Sequence, residues 1–366
     1  MRISYLSHAV IPSRYANSVH IMRMCAAMSS LGHDVQLSCL AGSDTSADPF
    51  EYYGVEHDFD IVKYSWNSFL ARTKLGDLKI VLNLDDFAPD QVFGRSIPAC
   101  AIAARRGYPV YLELHTPPSN YGWLERLMLN NLVMSDSFGG LVVISEALRK
   151  LVCEQLDIAP EFVLVAADAA DELPEGDAVP IGPTDRLQIC YIGQLYAGRG
   201  VELIHDMALD NPSADFHLVG GMEDAVTGWR AKAADMGNFH IHGFVPPSET
   251  INYLKAADIL LAPYQNRVTI DNKGDSSLWM SPLKVFEYMS AGKAILISDI
   301  PVLHEVFENS RQAIMLAPDD VDAWSNAIKE LQNNPALRHE MGAAAQLAFL
   351  RRFTWKQRAK AIVDQF

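Results

Sequence analysis

Ser281-Pro282-Leu283-Lys284-Val285-Phe286-Glu287-Tyr288-Met289-Ser290-Ala291-Gly292-Lys293, followed by Ala294-Ile295-Leu296-Ile297, reads as a capped helix running into a short apolar strand. Pro282 suits the first turn of a helix, Ser281 its cap and Gly292 its end. The same alternation of short apolar strands and amphipathic helices continues in both directions, which predicts an α/β fold with mostly parallel sheets. Upstream in this half, strands are expected at Leu187–Ile192, Asp215–Val219, Phe239–Ile241 and Ile259–Ala262, and downstream at Gln312–Leu316. In the first half they are expected at Arg2–Ser7, Asp34–Leu40, Asp60–Tyr64, Lys79–Asn83, Pro109–Leu114 and Gly140–Ile144.

The acidic, proline-containing stretch 171–185 reads as a linker. It divides the 366 residues into a domain at 1–170 and a second at 186–352, with a last helix at 353–366 expected to reach back to the first. No internal sequence repeat relates the halves. Ligands of doubly wound folds sit outside the carboxyl ends of the strands, so the informative residues should lie just after strands.

A helix starting at Pro282 offers the amides of Leu283 and Lys284 to a phosphate, with the helix dipole helping. Glu287 lies one turn further on the same face, where a carboxylate can hold ribose hydroxyls; alone it reads equally as a surface carboxylate. Gly193-Gln194-Leu195-Tyr196-Ala197-Gly198-Arg199-Gly200 directly follows the strand ending at Ile192. Its glycines let the backbone approach a ligand, and Arg199 can clamp phosphate oxygens with its planar fork.

Composition narrows the rest. The formal net charge is −15, and no basic stripe marks a nucleic-acid binder. No run of about 18 apolar residues is present. Met1-Arg2-Ile3-Ser4-Tyr5-Leu6 reads as a strand rather than a secretory leader. Cys25, Cys39, Cys100, Cys153 and Cys190 are scattered, which fits a reducing cytosol and no zinc site or disulfide framework. A cytoplasmic location is therefore expected, with a weak peripheral contact at the inner membrane face left open.

Together these segments resemble the glycosyl transferases of group 1 (family 4) with the GT-B fold, over nearly the whole chain. Ser281–Lys293 looks like the stretch around the family's donor-binding Glu, and Gly193–Gly200 like its glycine-rich phosphate segment. His242-Gly243-Phe244-Val245 resembles the segment whose backbone reads the nucleobase. Ala16-Asn17-Ser18-Val19-His20, Leu112-Glu113-Leu114-His115 and Val142-Val143-Ile144-Ser145-Glu146 match patterns of the N-terminal domain. The resemblance implies two Rossmann-like domains facing a central cleft. It implies a retaining transfer of sugar from a nucleotide-diphosphate donor, GDP- or UDP-linked, to a glycan or lipid-linked acceptor. It involves no resident cofactor and no metal.

By that analogy Glu287 binds the ribose, Arg199 the diphosphate, and Phe244 and Val245 the base. Ser281 and the Leu283 and Lys284 amides bind phosphate, and Lys284 joins Arg199 in carrying leaving-group charge. Gly193 and Asn17 lie on the phosphate side. His115 alone reads as a packed strand-end histidine; the resemblance places it beside the transferring sugar. Where the family often has a Glu eight residues before Glu287, this chain has Trp279, with Asp275 the nearest carboxylate.

Two other readings compete. A sugar-nucleotide epimerase of the same fold would need paired carboxylates, with Asp275 and Glu113 as loose candidates. A non-catalytic nucleotide-sugar-binding subunit would fit Trp279. Asp58-Phe59-Asp60 has the form of a metal-binding D-x-D but precedes a strand, and Asp85-Asp86 reads as solvated. Tyr121–Val133, with Trp123, Leu124, Leu127, Met128, Leu129 and Leu132, is either a packing helix or an apolar surface for a lipid-linked acceptor.

Overall fold

The structure is a computed structural model that describes residues 1–13, 15–42, 47–56, 58–65, 80–268, 275–307 and 311–366. It divides into two compact units, Met1–Ala167 with Trp355–Phe366, and Asp168–Thr354. The stretch 171–185 therefore falls inside the second unit, where no helix or strand is formed by it.

The first unit carries a parallel sheet of β1 (Arg2–Ile11), β2 (Asp34–Ala41), β3 (Asp60–Ser65), β4 (Gln91–Gly94), β5 (Val110–Leu114), β6 (Phe138–Val143) and β7 (Val163–Val165). The order is β3-β2-β1-β4-β5-β6-β7. The helix Ala16–Ser30 links β1 to β2 and packs against the helix Trp355–Val363, where the His20 and Trp355 rings meet edge to face at 5.1 Å. Buried Ile3, Tyr5, Leu37 and Val92 show why the central strands are almost uniformly apolar: both faces of the sheet are covered.

The second unit carries β8 (Leu187–Ile192), β9 (Ala214–Val219), β10 (Phe239–Gly243), β11 (Ile259–Ala262), β12 (Ala294–Ser298) and β13 (Ile314–Leu316), in the order β10-β9-β8-β11-β12-β13. Its core gathers Ile189, Phe216, Leu218, Leu261, Leu296 and Trp324.

Two sequence expectations are corrected here. No strand forms at 80–83: Ile80 is helical and 81–83 make the turn into the helix Leu84–Phe87; Lys79 lies outside the described residues. The sheet position is taken by Gln91–Gly94, which pairs with Ile3–Leu6. Gly94 makes that pairing fit, because a Cβ there would lie 2.4 Å from the Leu6 carbonyl oxygen. Ser281 is not the helix cap either. Pro282 holds the cap position of the helix Leu283–Ala291, and the Ser281 hydroxyl accepts instead from the Asp168 amide at 2.8 Å. Gly292 ends the helix in the left-handed region, at φ 64°.

Candidate functional site

In the second unit the chain winds outward from β8 on both sides, so β8 and β11 flank the topological switch point. The segments leaving these strands are stitched together. The Gln265 amide donates to the Gly198 carbonyl at 3.0 Å. Gly200, at φ 77°, packs so tightly that a Cβ there would lie 1.9 Å from the Pro263 carbonyl oxygen. The Gly193 amide donates to Val219 at 2.8 Å and Gly220 to Gly243 at 2.7 Å, which ties the ends of β8, β9 and β10.

Two cations converge on this point. The Lys284 ammonium lies 3.9 Å from the centre of the Tyr191 ring and 5.5 Å from that of Tyr264. The Arg199 guanidinium lies 5.2 Å and 5.6 Å from the rings of Tyr196 and Tyr264. It donates through Nη2 to the Tyr196 hydroxyl at 3.2 Å, while its Nε is buried with no hydrogen-bond partner. Neither cation forms an ion pair with a carboxylate among the described residues. Burial pushes the Lys284 pKa down and Arg199 pushes it further; Glu287 offsets this only in part, so it sits well below the ordinary lysine range.

Leu283 and Lys284 are the first two helical residues, whose amides have no carbonyl of their own helix to bond. Tyr288 anchors the same helix to β8 by accepting from the Ile192 amide at 2.9 Å. A Cβ on Gly193 would lie 2.5 Å from the Lys284 Nζ, so the bare backbone there leaves room for the ammonium. The structure thus brings together Gly193, Arg199, Leu283 and Lys284, with Glu287 partly buried one turn on. Phe244, 48 % exposed, and Val245 follow β10, two strands away in the sheet. Ser281 sits beside the group but spends its hydroxyl on Asp168. Tyr191 and Tyr264, the aromatic floor under the cations, were not anticipated; their positions at the ends of β8 and β11 were the available signal.

The first unit holds a second cluster. Glu113 on β5 is 1 % exposed, and its Oε1 meets His115 Nε2, Arg358 Nη2 at 2.7 Å and His20 Nε2 at 3.1 Å. Burial pushes the Glu113 carboxyl up, but Arg358, His20 and His115 together outweigh it and hold it well below the usual range. Sequence spacing alone revealed no metal-ligand set; the fold places ligand atoms of His20, Glu113 and His115 within 4.8 Å of one another. Arg358 already supplies the compensating charge for that carboxylate; Arg358 and His115 hydrogen-bond it and His20 faces it. Asn17 lies exposed in the first turn of the helix Ala16–Ser30.

Two of the carboxylates considered for other chemistry, Asp275 and Asp85, are engaged. Asp275 Oδ1 accepts from the Val268 and Ser277 amides, each at 3.0 Å, and from the Ser277 hydroxyl at 2.6 Å. Asp85 pairs with Arg106 and accepts from the Tyr108 hydroxyl at 2.8 Å. Trp279 is 9 % exposed, packed rather than presented. In the helix Trp123–Val133, Leu129 and Leu132 are buried, whereas Trp123, Leu127 and the following Met134 are 73 %, 49 % and 85 % exposed.

Residues 18–166 match the family model described as Glycosyltransferase Family 4, and residues 199–364 the model described as Glycosyl transferase-like. One curated relative, the O-antigen chain mannosyltransferase RfbU of Salmonella typhimurium, is 41 % identical over 49 residues, a stretch spanning 13 % of each protein. Among solved structures, Anabaena Alr3699/HepE in complex with UDP superposes with a TM-score of 0.72 at 14 % identity, covering 100 % of this chain and 99 % of that one. A glycosyltransferase from Rickettsia africae gives 0.75 at 13 % identity, over 99 % and 97 %. The lipopolysaccharide outer core galactosyltransferase WaaB gives 0.68 at 13 % identity, over 100 % and 99 %.

Proposed function

We propose that this chain, which belongs to the group 1 (family 4) glycosyltransferases with the GT-B fold, moves a sugar from a nucleoside-diphosphate donor with retention at the anomeric carbon and without a metal. The observation that carries the reading is the pairing of Arg199 and Lys284, two cations lacking carboxylate partners among the described residues, beside the first amides of the helix Leu283–Ala291. Such a group is complementary to a diphosphate, most of all as charge builds on the leaving group. Glu287 serves the ribose, and the backbone at Phe244 and Val245 serves the base. In the first unit, His115 serves the sugar and Asn17 the phosphate side. The acceptor is a glycan or a lipid-linked glycan; the exposed strip of Trp123, Leu127 and Met134 suits a lipid carrier or a weak peripheral membrane contact.

The epimerase reading loses support because Asp275 is consumed by loop amides and Glu113 by Arg358. HepE has been solved with UDP-glucose and RfbU is a mannosyltransferase, so UDP-glucose and GDP-mannose are the donors to try first. Incubation with each, with and without EDTA, should give slow release of the sugar in its original anomeric form, unaffected by the chelator. Loss of turnover in EDTA, restored by manganese, would return Asp58 and Asp60 to the site. Tight binding of both donors with no release, even with added glycan acceptors, would favour the non-catalytic subunit.

A further inference from the structure

The first sheet has a topological switch point of its own, between β1 and β4, and Arg95 directly follows β4 there. Its amide donates to the Leu6 carbonyl at 2.9 Å, where the register of β1 against β2 shifts. Its side chain is partly buried, and Nη1 is sealed from solvent with no hydrogen bond. A guanidinium carries five N–H donors, yet this side chain makes no hydrogen bond and no ion pair among the described residues. The neighbouring carboxylates are taken by other groups. Glu113 is held by Arg358 and His115, and Arg95 is not among the charges that lower its pKa. Glu125 accepts from the Gly122 amide at 3.1 Å. Two tyrosines feel the Arg95 charge. Burial pushes the Tyr5 and Tyr121 hydroxyls up, and Arg95 opposes that shift at each without cancelling it, so both stay neutral and neither supplies a counter-charge. The Tyr5 ring is buried edge to face on Phe93 at 5.2 Å, and its hydroxyl has no hydrogen bond either. A partly buried cation without a partner is unfavourable. Arg199 shows the same signs at the other switch point: a sealed, unbonded Nε beside Tyr191 and Tyr264, whose hydroxyls burial likewise pushes up.

We infer that Arg95 is an anion-binding residue of the first unit, and that the acceptor of the transfer carries a phosphate or a carboxylate whose oxygens its fork receives. The inference rests on the transferase reading and adds the charge of the acceptor. A planar guanidinium matches the two oxygens of either group. The helix Ile97–Arg105 begins beside it, capped by the Ser96 hydroxyl on the Ala99 amide at 3.3 Å, so the helix dipole adds to the same preference. The chain as a whole, at a net charge of −15, repels anions, which makes a local cation necessary for an acidic acceptor.

The test is calorimetric titration of the full chain, both free and saturated with UDP or GDP, so that the cations of the second unit are already occupied. The probes are two matched pairs: methyl glucuronide with methyl glucoside, and geranyl phosphate with geraniol. At least one anion should bind the nucleotide-saturated chain roughly tenfold or more tightly than its neutral counterpart. Binding of the glucuronide alone means an acidic sugar, of geranyl phosphate alone the phosphate of a lipid carrier, and of both a site that reads charge only. Arg95→Met should weaken the anion by roughly tenfold or more, with nucleotide affinity and melting temperature unchanged. Arg95→Lys keeps the charge but not the fork and should fall between. Equal binding of anion and neutral counterpart, no binding of either anion, or an Arg95→Met chain that binds the anion like the wild type overturns the inference. Loss of nucleotide affinity in Arg95→Met also overturns it, by making Arg95 part of the donor site. Failure of both variants to fold does so by making Arg95 a structural residue. If neither UDP nor GDP binds the wild-type chain, the transferase reading fails by itself, and comparing wild type with Arg95→Met in the free chain still decides whether Arg95 holds an anion.

Discussion

The ammonium of Lys284 stands 3.9 Å above the Tyr191 ring, in a setting where burial and Arg199 both disfavour its charged form. A bound diphosphate reverses that balance. Donor or nucleotide binding should therefore take up a proton at pH values near the lowered pKa, and affinity should rise as pH falls through it. Calorimetry of UDP or GDP binding in two buffers of different ionisation heat measures the uptake, which Lys284→Met should abolish. Equal heats in both buffers at every pH would place Lys284 outside the phosphate site.

Glu287 should report on the ribose alone. Removing a charged hydrogen-bond acceptor typically costs about 1.5 to 3 kcal/mol, so Glu287→Ala should weaken nucleotide binding roughly ten- to hundredfold. Thermal stability should hardly move, since the helix Leu283–Ala291 buries Val285, Phe286, Tyr288 and Met289 instead. Unchanged affinity in the Ala variant would remove Glu287 from the site.

Gly200 and Gly228 give a matched pair. A methyl at Gly200 meets the Pro263 carbonyl at 1.9 Å on a backbone with φ 77°, so Gly200→Ala should cost about 2 kcal/mol or more. Gly228 lies inside the helix Glu223–Lys232 with nothing within 4 Å of an added methyl, so Gly228→Ala should stabilise by about 0.5 to 1 kcal/mol. Urea denaturation of both variants checks the signs. A Gly200→Ala protein as stable as the wild type would mean the loop and Pro263 move apart easily.

A wire of neutral groups crosses the second sheet. The Tyr253 hydroxyl donates to His242 Nδ1 at 3.1 Å, His242 Nε2 to His217 Nδ1 at 3.0 Å, and His217 Nε2 to Gln188 Oε1 at 2.9 Å. The direction is fixed because the Gln188 amide nitrogen already donates to Pro183 and Arg186 carbonyls. Burial first, and then His240 and His242, push the His217 pKa down to about 3. The native state thus refuses a proton that the unfolded chain accepts below about 6.5. Stability should be level above that pH and fall steadily towards about 3. Denaturation midpoints across this range test it, and His217→Gln should flatten the slope; an equal slope in the variant would refute the assignment.

How far the sequence spoke depended on whether the partners were near one another in it. The helix at Leu283–Ala291 and the loop Gly193–Gly200 were legible because their proline, glycines and cations are local patterns, although the cap was misplaced by one residue. Glu113 and His115, two apart on one strand, share a face by the pleat. Arg358 was invisible as their partner, because nothing in an amphipathic last helix marks which of its cations faces a carboxylate 245 positions earlier. Ile80-Val81-Leu82 looked like a strand by composition, yet Ile80 is helical, Val81 is buried in a turn and Leu82 is 61 % exposed. The true strand, Gln91–Gly94, has four residues, opens on a Gln and ends on a Gly, and carries too little pattern to stand out.

The two-segment make-up of the first unit sets an order of events on the ribosome. Glu113 emerges long before Arg358, and at about 5 to 20 residues per second the wait is roughly 10 to 50 s. Through that interval the nascent first unit lacks the cation that makes a buried carboxylate tolerable, along with the helix Trp355–Val363 that lies against Ala16–Ser30. Asp168–Thr354 is one uninterrupted stretch that holds all the strands of its own sheet. The half of the molecule whose synthesis begins first thus stays incomplete until the residues after Thr354 have been made.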